Sequence, residues 1–79
     1  MTHTVLDTSG MFCPIPVLKA KKAIVPLEPG DILEVIATDP GAVLDFDVFC
    51  TIGGHTIVHQ SEKDGVFRFK IERGTPLPS

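Results

Sequence analysis

At 79 residues the chain has room for a single domain, and a domain of this size buries only about 60% of its unfolded surface, so its core is modest. Ten acidic against seven basic residues leave a formal net charge of -3, which weighs against a dedicated nucleic-acid binder, where a basic excess is usual. Two cysteines make no disulfide framework, no apolar run approaches the roughly 20 residues of a membrane span, and no charged-then-apolar leader opens the sequence. The expectation is a soluble cytoplasmic protein whose thiols rest reduced.

The elements follow in chain order. Thr4-Val5-Leu6-Asp7 is a short strand candidate, closed by the loop Thr8-Ser9-Gly10. A helix should begin at Cys13, with the cysteine as N-cap and Pro14 at the first helical position, where its missing N–H has no intrahelical partner to lose. Pro16 still falls within the first turn and breaks no ladder bond. Val17, Ala20 and Ile24 define one buried stripe, while Lys19 and Lys22 share a solvated face. The helix stops near Pro26, and Glu28-Pro29-Gly30-Asp31 reads as a turn.

Ile32 to Ala37 reads as a strand buried on nearly both faces, since only Glu34 interrupts its apolar run. Asp39-Pro40 then signals a second helix, with Asp39 as N-cap, running to about Ile52 and ended by Gly53-Gly54. A third strand spans His55 to Glu62. Lys63-Asp64-Gly65 turns it into Val66–Glu72, where Val66, Arg68, Lys70 and Glu72 alternate with Phe67, Phe69 and Ile71. The fold expected is α+β, a two-layer α/β sandwich of order β-α-β-α-β-β, with two helices on one face of a four-stranded mixed sheet. Residues 1–73 form this domain, and 74–79, with two prolines and no periodicity, read as a flexible tail.

The stretch Cys13-Pro14-Ile15-Pro16 carries the most chemistry. A sulfur at a helix N-terminus sits at the positive end of the macrodipole, equivalent to roughly +0.5 charge, and thiol pKa values fall there. The prolines stiffen the entry to the helix and delete two of its four orphan donors, leaving chiefly the N–H groups of Ile15 and Val17 for an anion. An exposed and moderately activated thiol follows. Lys19 is about 9 Å further along the axis, too far to activate the sulfur through salt but able, with Lys22, to steer an acidic partner. The plain alternative for Cys13 is a small packed residue, since free cysteines are often buried; Gly10 and the prolines favour a loop tip instead.

Leu6-Asp7, Gly10, Cys13-Pro14-Ile15-Pro16-Val17, Pro29-Gly30, Asp39-Pro40, Phe49-Cys50 and His55 together resemble the TusA (SirA-like) family of small sulfur-carrier proteins, over about Val5 to Arg73. The resemblance implies the two-layer sandwich and a persulfide carried on Cys13. It implies a cysteine desulfurase or rhodanese-like sulfur donor and a downstream sulfurtransferase acceptor, on a route such as tRNA thiolation, molybdenum-cofactor maturation or sulfur oxidation. In such a protein Pro14 and Pro16 set the geometry of the thiol, Asp7 and Gly10 shape its loop, and Lys19 and Lys22 serve docking. Phe12 stands where many members carry a basic or polar residue. The protein takes part in sulfurtransferase reactions as a carrier rather than as a stand-alone turnover enzyme. No cofactor, metal, nucleic acid or membrane is expected, nor a deep pocket, and a monomer is.

Other readings stay open at this point. Cys50, in one apolar arc with Ala42, Val43, Phe46 and Phe49, is either a core residue or a resolving thiol for Cys13. Leu44, Val48 and Ile52 form a second apolar stripe, covered by the hairpin or exposed to a partner. His55 and His59 are spaced to point the same way on a strand, a weak metal signal. A small RNA-binding protein and a thiol redox sensor are the alternatives from other functional classes.

Overall fold

The computed structural model describes residues 3–12 and 14–74. Strand β1 (His3–Thr8), helix α1 (Ile15–Ile24), strand β2 (Ile32–Ala37), helix α2 (Ala42–Gly53) and strands β3 (Thr56–Lys63) and β4 (Val66–Glu72) follow in that order. The sheet order is β1-β2-β4-β3, with β1 and β2 parallel and both pairings of β4 antiparallel. This is the expected two-layer α+β sandwich. Because β1, β2 and β3 all run one way, the helices that return between them run the other way. Both helices therefore start at the same end of the sheet, beyond the C-terminal ends of β1 and β2.

Alternation along the strands decides which face is covered. Leu33, Val35 and Ala37 of β2 and Phe69 and Ile71 of β4 point into the helical layer and are buried, meeting Ala20 and Ile24 of α1 and Ala42, Phe46 and Cys50 of α2. Phe46 lies 5.0 Å from Phe69 and 6.2 Å from Phe49 between ring centroids, and each fully buried phenylalanine contributes about 1.5–3 kcal/mol.

The open face of the sheet differs from expectation at β2. Ile32, Glu34 and Ile36 are half-buried rather than enclosed, because both helices pack on the other face of the sheet. Glu34 accepts from His3 Nε2 at 3.0 Å and pairs with Arg68 Nη1 at 3.7 Å. A bulge between Ile57 and His59 shifts the register of β3.

The ends of the elements move by one or two residues. Helix α1 begins at Ile15 with Pro14 as N-cap, so the proline, not Cys13, occupies that position, and Pro16 rather than Pro14 is the proline within the first turn. Helix α2 is capped by Gly41, not Asp39. Asp39 instead folds the approach, its Oδ1 accepting from Gly41 N–H at 3.0 Å and its carbonyl from Ala42 N–H at 2.9 Å. Gly54 ends α2 at φ +75°, and the next amide, that of His55, bonds back to Cys50 O at 2.9 Å. Asp64 and Gly65, both at positive φ, form the two-residue turn between β3 and β4.

Gly74, assigned by sequence to the tail, is tied down. Its N–H donates to His55 Nδ1 at 2.9 Å, and the neighbouring Arg73 Nε donates to Ile24 O at the end of α1. The rest of the predicted tail, residues 75–79, lies outside the described residues. No helix is long and apolar enough to cross a membrane among the described residues.

Candidate functional site

The loop between β1 and α1 is anchored almost residue by residue. Thr8 is buried at the end of β1 and its hydroxyl donates to Ile36 O at 2.6 Å. Asp7 Oδ1 accepts from both Ser9 Oγ at 2.6 Å and Ser9 N–H at 2.9 Å, and these two bonds, the hydroxyl's first, hold its carboxyl below the ordinary value. Gly10 takes φ +79°, a conformation that a β-carbon would strain, and donates its N–H to Thr38 Oγ1 at 2.8 Å. Met11 N–H returns to Thr8 O at 3.1 Å, and Ile15 N–H caps the loop on Phe12 O at 2.9 Å. The ends of two adjacent parallel strands thus hold the segment that leads into α1.

Cys13, the thiol to which the sequence points, lies outside the described residues. Its neighbours on both sides are described. Phe12 is 76% exposed, and Pro14 is exposed as well. Pro16 behaves differently: its ring is fully buried on the inner face of α1, so it is a core residue as well as a stiffener of the helix entry. The accounting of amide donors at this helix end also changes. Ile15, expected to offer a free N–H, has it engaged by Phe12 O, and Leu18 N–H bonds Pro14 O at 3.1 Å. The Pro14 cap itself makes no side-chain hydrogen bond.

Two surface depressions flank position 13 in the chain. One, of about 200 Å³, is lined by Gly10, Met11, Phe12, Thr38, Asp39 and Pro40. The other is an open, mostly apolar groove of about 370 Å³ between α1 and α2, with Pro14, Val17 and Lys21 on one wall and Leu44, Val48 and Ile52 on the other. This groove settles the second stripe of α2: Leu44, Val48 and Ile52 are exposed and not covered by the hairpin. Lys19 and Lys22 are exposed on α1, yet the lysine that borders the groove is Lys21. Sequence spacing contains that signal, since Pro14, Val17 and Lys21 fall at i, i+3 and i+7. The roles of Ser9 and Thr38 carry no comparable signal, because Thr38 meets Gly10 only across the sheet.

Cys50 belongs to the core. It is 4% exposed, and burial, with a smaller contribution from Asp47, pushes its thiol up to about 11. A largely protonated, enclosed sulfur is a poor resolving thiol. His55 precedes β3, its ring 5.4 Å from that of Phe49, and the bulge at Val58 separates it from the parity of His59, which removes the paired orientation read from the sequence. No group of three or more metal-ligating side chains gathers among the described residues. On the open face of the sheet Arg68 and Lys70 are exposed, while Phe69 is buried and Phe67 packs against the core, so β4 offers no aromatic platform for stacked bases.

Comparison with known proteins assigns this geometry to a family. The family described as sulfurtransferase TusA matches residues 4–73. The chain belongs to the TusA family. A sulfur carrier protein TusA from Allochromatium vinosum is 46% identical over 68 residues, covering 86% of this chain and 90% of that relative. Another from Pseudomonas aeruginosa is 41% identical over 76 residues, covering 92% and 96%. The crystal structure of a SirA-like protein from Desulfitobacterium hafniense superposes with a TM-score of 0.80 at 31% identity, over 91% of this chain and 99% of that one. The β-α-β-α-β-β architecture is therefore the TusA fold, and the anchored loop with its two flanking depressions is the part of that fold next to the Cys-Pro-Ile-Pro motif.

Proposed function

We propose that this TusA-family protein is a cytoplasmic sulfur carrier that takes up sulfane sulfur on Cys13 and passes it to an acceptor protein. The observation that carries the reading is the tethered loop of residues 7–12, which leads into the Cys-Pro-Ile-Pro motif, with one depression bordered by Phe12 and another by Pro14. Relatives named sulfur carrier proteins over nearly the whole chain support it. Cys50, enclosed and held protonated, leaves Cys13 as the thiol suited to the work.

The chemistry needs no redox partner. The Cys13 thiolate attacks the terminal sulfur of a donor persulfide; a new S–S bond forms to Cys13, the donor S–S bond breaks, and the donor leaves as a thiolate. In delivery, an acceptor thiolate attacks that outer sulfur and Cys13 leaves as the thiolate. Access, a fair thiolate fraction and retained nucleophilicity suffice, and a thiol pKa near ambient pH is best. The donor is a cysteine desulfurase or a rhodanese-like protein. The acceptor lies on a route such as tRNA thiolation, molybdenum-cofactor maturation or sulfur oxidation.

The test is intact-protein mass after incubation with a cysteine desulfurase and cysteine, and separately with a rhodanese and thiosulfate. Wild type and Cys50→Ala should gain one reducible sulfur atom, and Cys13→Ser none. Sulfur on Cys13→Ser, or on no variant with either donor, would overturn the reading.

A further inference from the structure

The groove between the helices has no role in the transfer chemistry, yet three exposed apolar side chains of α2, Leu44, Val48 and Ile52, line it together. Of the nine large apolar side chains that stand exposed among the described residues, only Val5 and Val58 lie on the sheet; the others lie on the helices, beside them or on the loop leading in. A contiguous apolar patch on a small protein marks an interaction surface. Its charges are also divided. Helix α1 carries Lys19, Lys21 and Lys22 and no acid, while α2 carries Asp45 and Asp47 and no base. At the groove itself these charges are Lys21 on the α1 wall and Asp45 on the α2 wall, with Leu44, Val48 and Ile52 forming a ridge at i, i+4 and i+8.

We infer that this groove seats one amphipathic helix of the protein sulfur donor, its apolar stripe on Val17, Leu44, Val48 and Ile52, its acidic flank over α1 and its basic flank over α2. The inference rests on the sulfur-carrier reading and names the surface by which the donor reaches Cys13. Three properties select a helix. The walls are themselves helices whose backbone groups bond within the ladder, so the groove offers side chains and no sheet edge; an occupant must satisfy its own backbone, which a helix does and an extended peptide does not. Parallel ridges of this spacing accept a third helix by ridge-into-groove packing. The length agrees, since the 12 residues of α2 span about 18 Å, or roughly three turns of a docked helix. A small apolar ligand is less suited, because such ligands are usually enclosed over about 70–90% of their surface and this groove is open. With Pro14 on the wall, a helix seated here brings its parent protein beside residue 13.

The experiment uses the donor that loads the wild type in the mass assay, and places a photo-crosslinking amino acid at Leu44 and, separately, at Ile52. These positions are eight residues apart on α2, about 12 Å along its axis. Both crosslinks should therefore fall on one helix of the donor, on a single face, about seven or eight residues apart. Val48→Glu should slow loading by the protein donor by about tenfold or more, as loss of a central apolar anchor does, while loading by inorganic polysulfide, which needs no docking, stays at the wild-type rate. Reversing Lys19, Lys21 and Lys22 to glutamate should slow association and flatten its dependence on salt. Crosslinks on a loop or strand of the donor, on two unrelated segments, or on a second copy of this chain would overturn the inference, as would unchanged loading of Val48→Glu by the protein donor. If no donor loads the wild type, the carrier reading itself fails; if loading is normal and the crosslinks miss a helix, only the groove assignment does.

Discussion

Replacing Cys13 with serine leaves Cys50 as the sole thiol, and its reactivity can be worked out from its surroundings. With a pKa of about 11, Cys50 is only about 0.03% thiolate at pH 7.5, against about 9% for an ordinary thiol of pKa near 8.5. That is about 300-fold less nucleophile. A thiolate of higher pKa is intrinsically more reactive, and with a Brønsted slope of about 0.4–0.5 this restores roughly tenfold. Ionisation alone therefore slows Cys50 by about 20- to 30-fold. Enclosure at 4% exposure adds a cost of opening before a bulky disulfide reagent can reach the sulfur, so native Cys13→Ser should react with an aromatic disulfide more than about 100-fold slower than the same protein unfolded in guanidinium. The assay is stopped-flow absorbance of the released aromatic thiolate, native and unfolded, at matched pH. A native rate within about tenfold of the unfolded one would refute the reasoning and return Cys50 to contention as a partner for Cys13.

Three further outcomes follow from the same structure. Thr38→Val removes the acceptor of Gly10 N–H; because that amide is open to water, the cost in stability should sit near the low end of about 0.5–1.5 kcal/mol, whereas sulfur uptake by Cys13, followed by mass against time, should slow more than that loss explains, and an unchanged rate would show that the tether is dispensable. Gly54→Ala forces a β-carbon into the left-handed conformation at the end of α2, which costs about 1–2 kcal/mol and, at about 4–8 °C per kcal/mol for a domain of this size, should lower the melting temperature by several degrees without altering loading by polysulfide. His55, its pKa lowered first by burial and then by Arg73, binds its proton less readily folded than unfolded; stability should therefore fall as pH drops below the ordinary histidine value of about 6.5 and level off once the pH passes below its depressed folded value. Denaturant midpoints across that range should show the slope in wild type and lose it in His55→Gln.

Local chemistry made much of this protein legible in its sequence. Ile32–Ala37 is bounded by turn residues and Val66–Glu72 alternates strictly, so strand, face and hairpin could be read with little competition from other structures. Cys13-Pro14-Ile15-Pro16 marks a helix entry with a thiol beside it because proline has few places to stand, and the sixfold combination of motifs around it already resembled the TusA family. The shifts at the caps, one residue at α1 and two at α2, have one cause. Pro14 and Pro40 both read as first helical residues, but each sits in the turn before its helix, where the carbonyls of Phe12 and Asp39 take the first amides.

What the sequence could not decide depends on which surfaces meet. Whether Leu44, Val48 and Ile52 face the hairpin or water is a matter of how α2 rolls on the sheet, and Ala42, Phe46 and Cys50 won the buried side by meeting Phe69 and Ile71. The same roll enclosed Cys50 and raised its pKa, which no spacing rule contains. The bond from Gly10 to Thr38, 28 residues away, exists only because β1 and β2 lie side by side in parallel, and it is this pairing that fixes the loop leading to Cys13. The residue types of the site are thus local, and its rigidity and its flanking groove are products of tertiary packing.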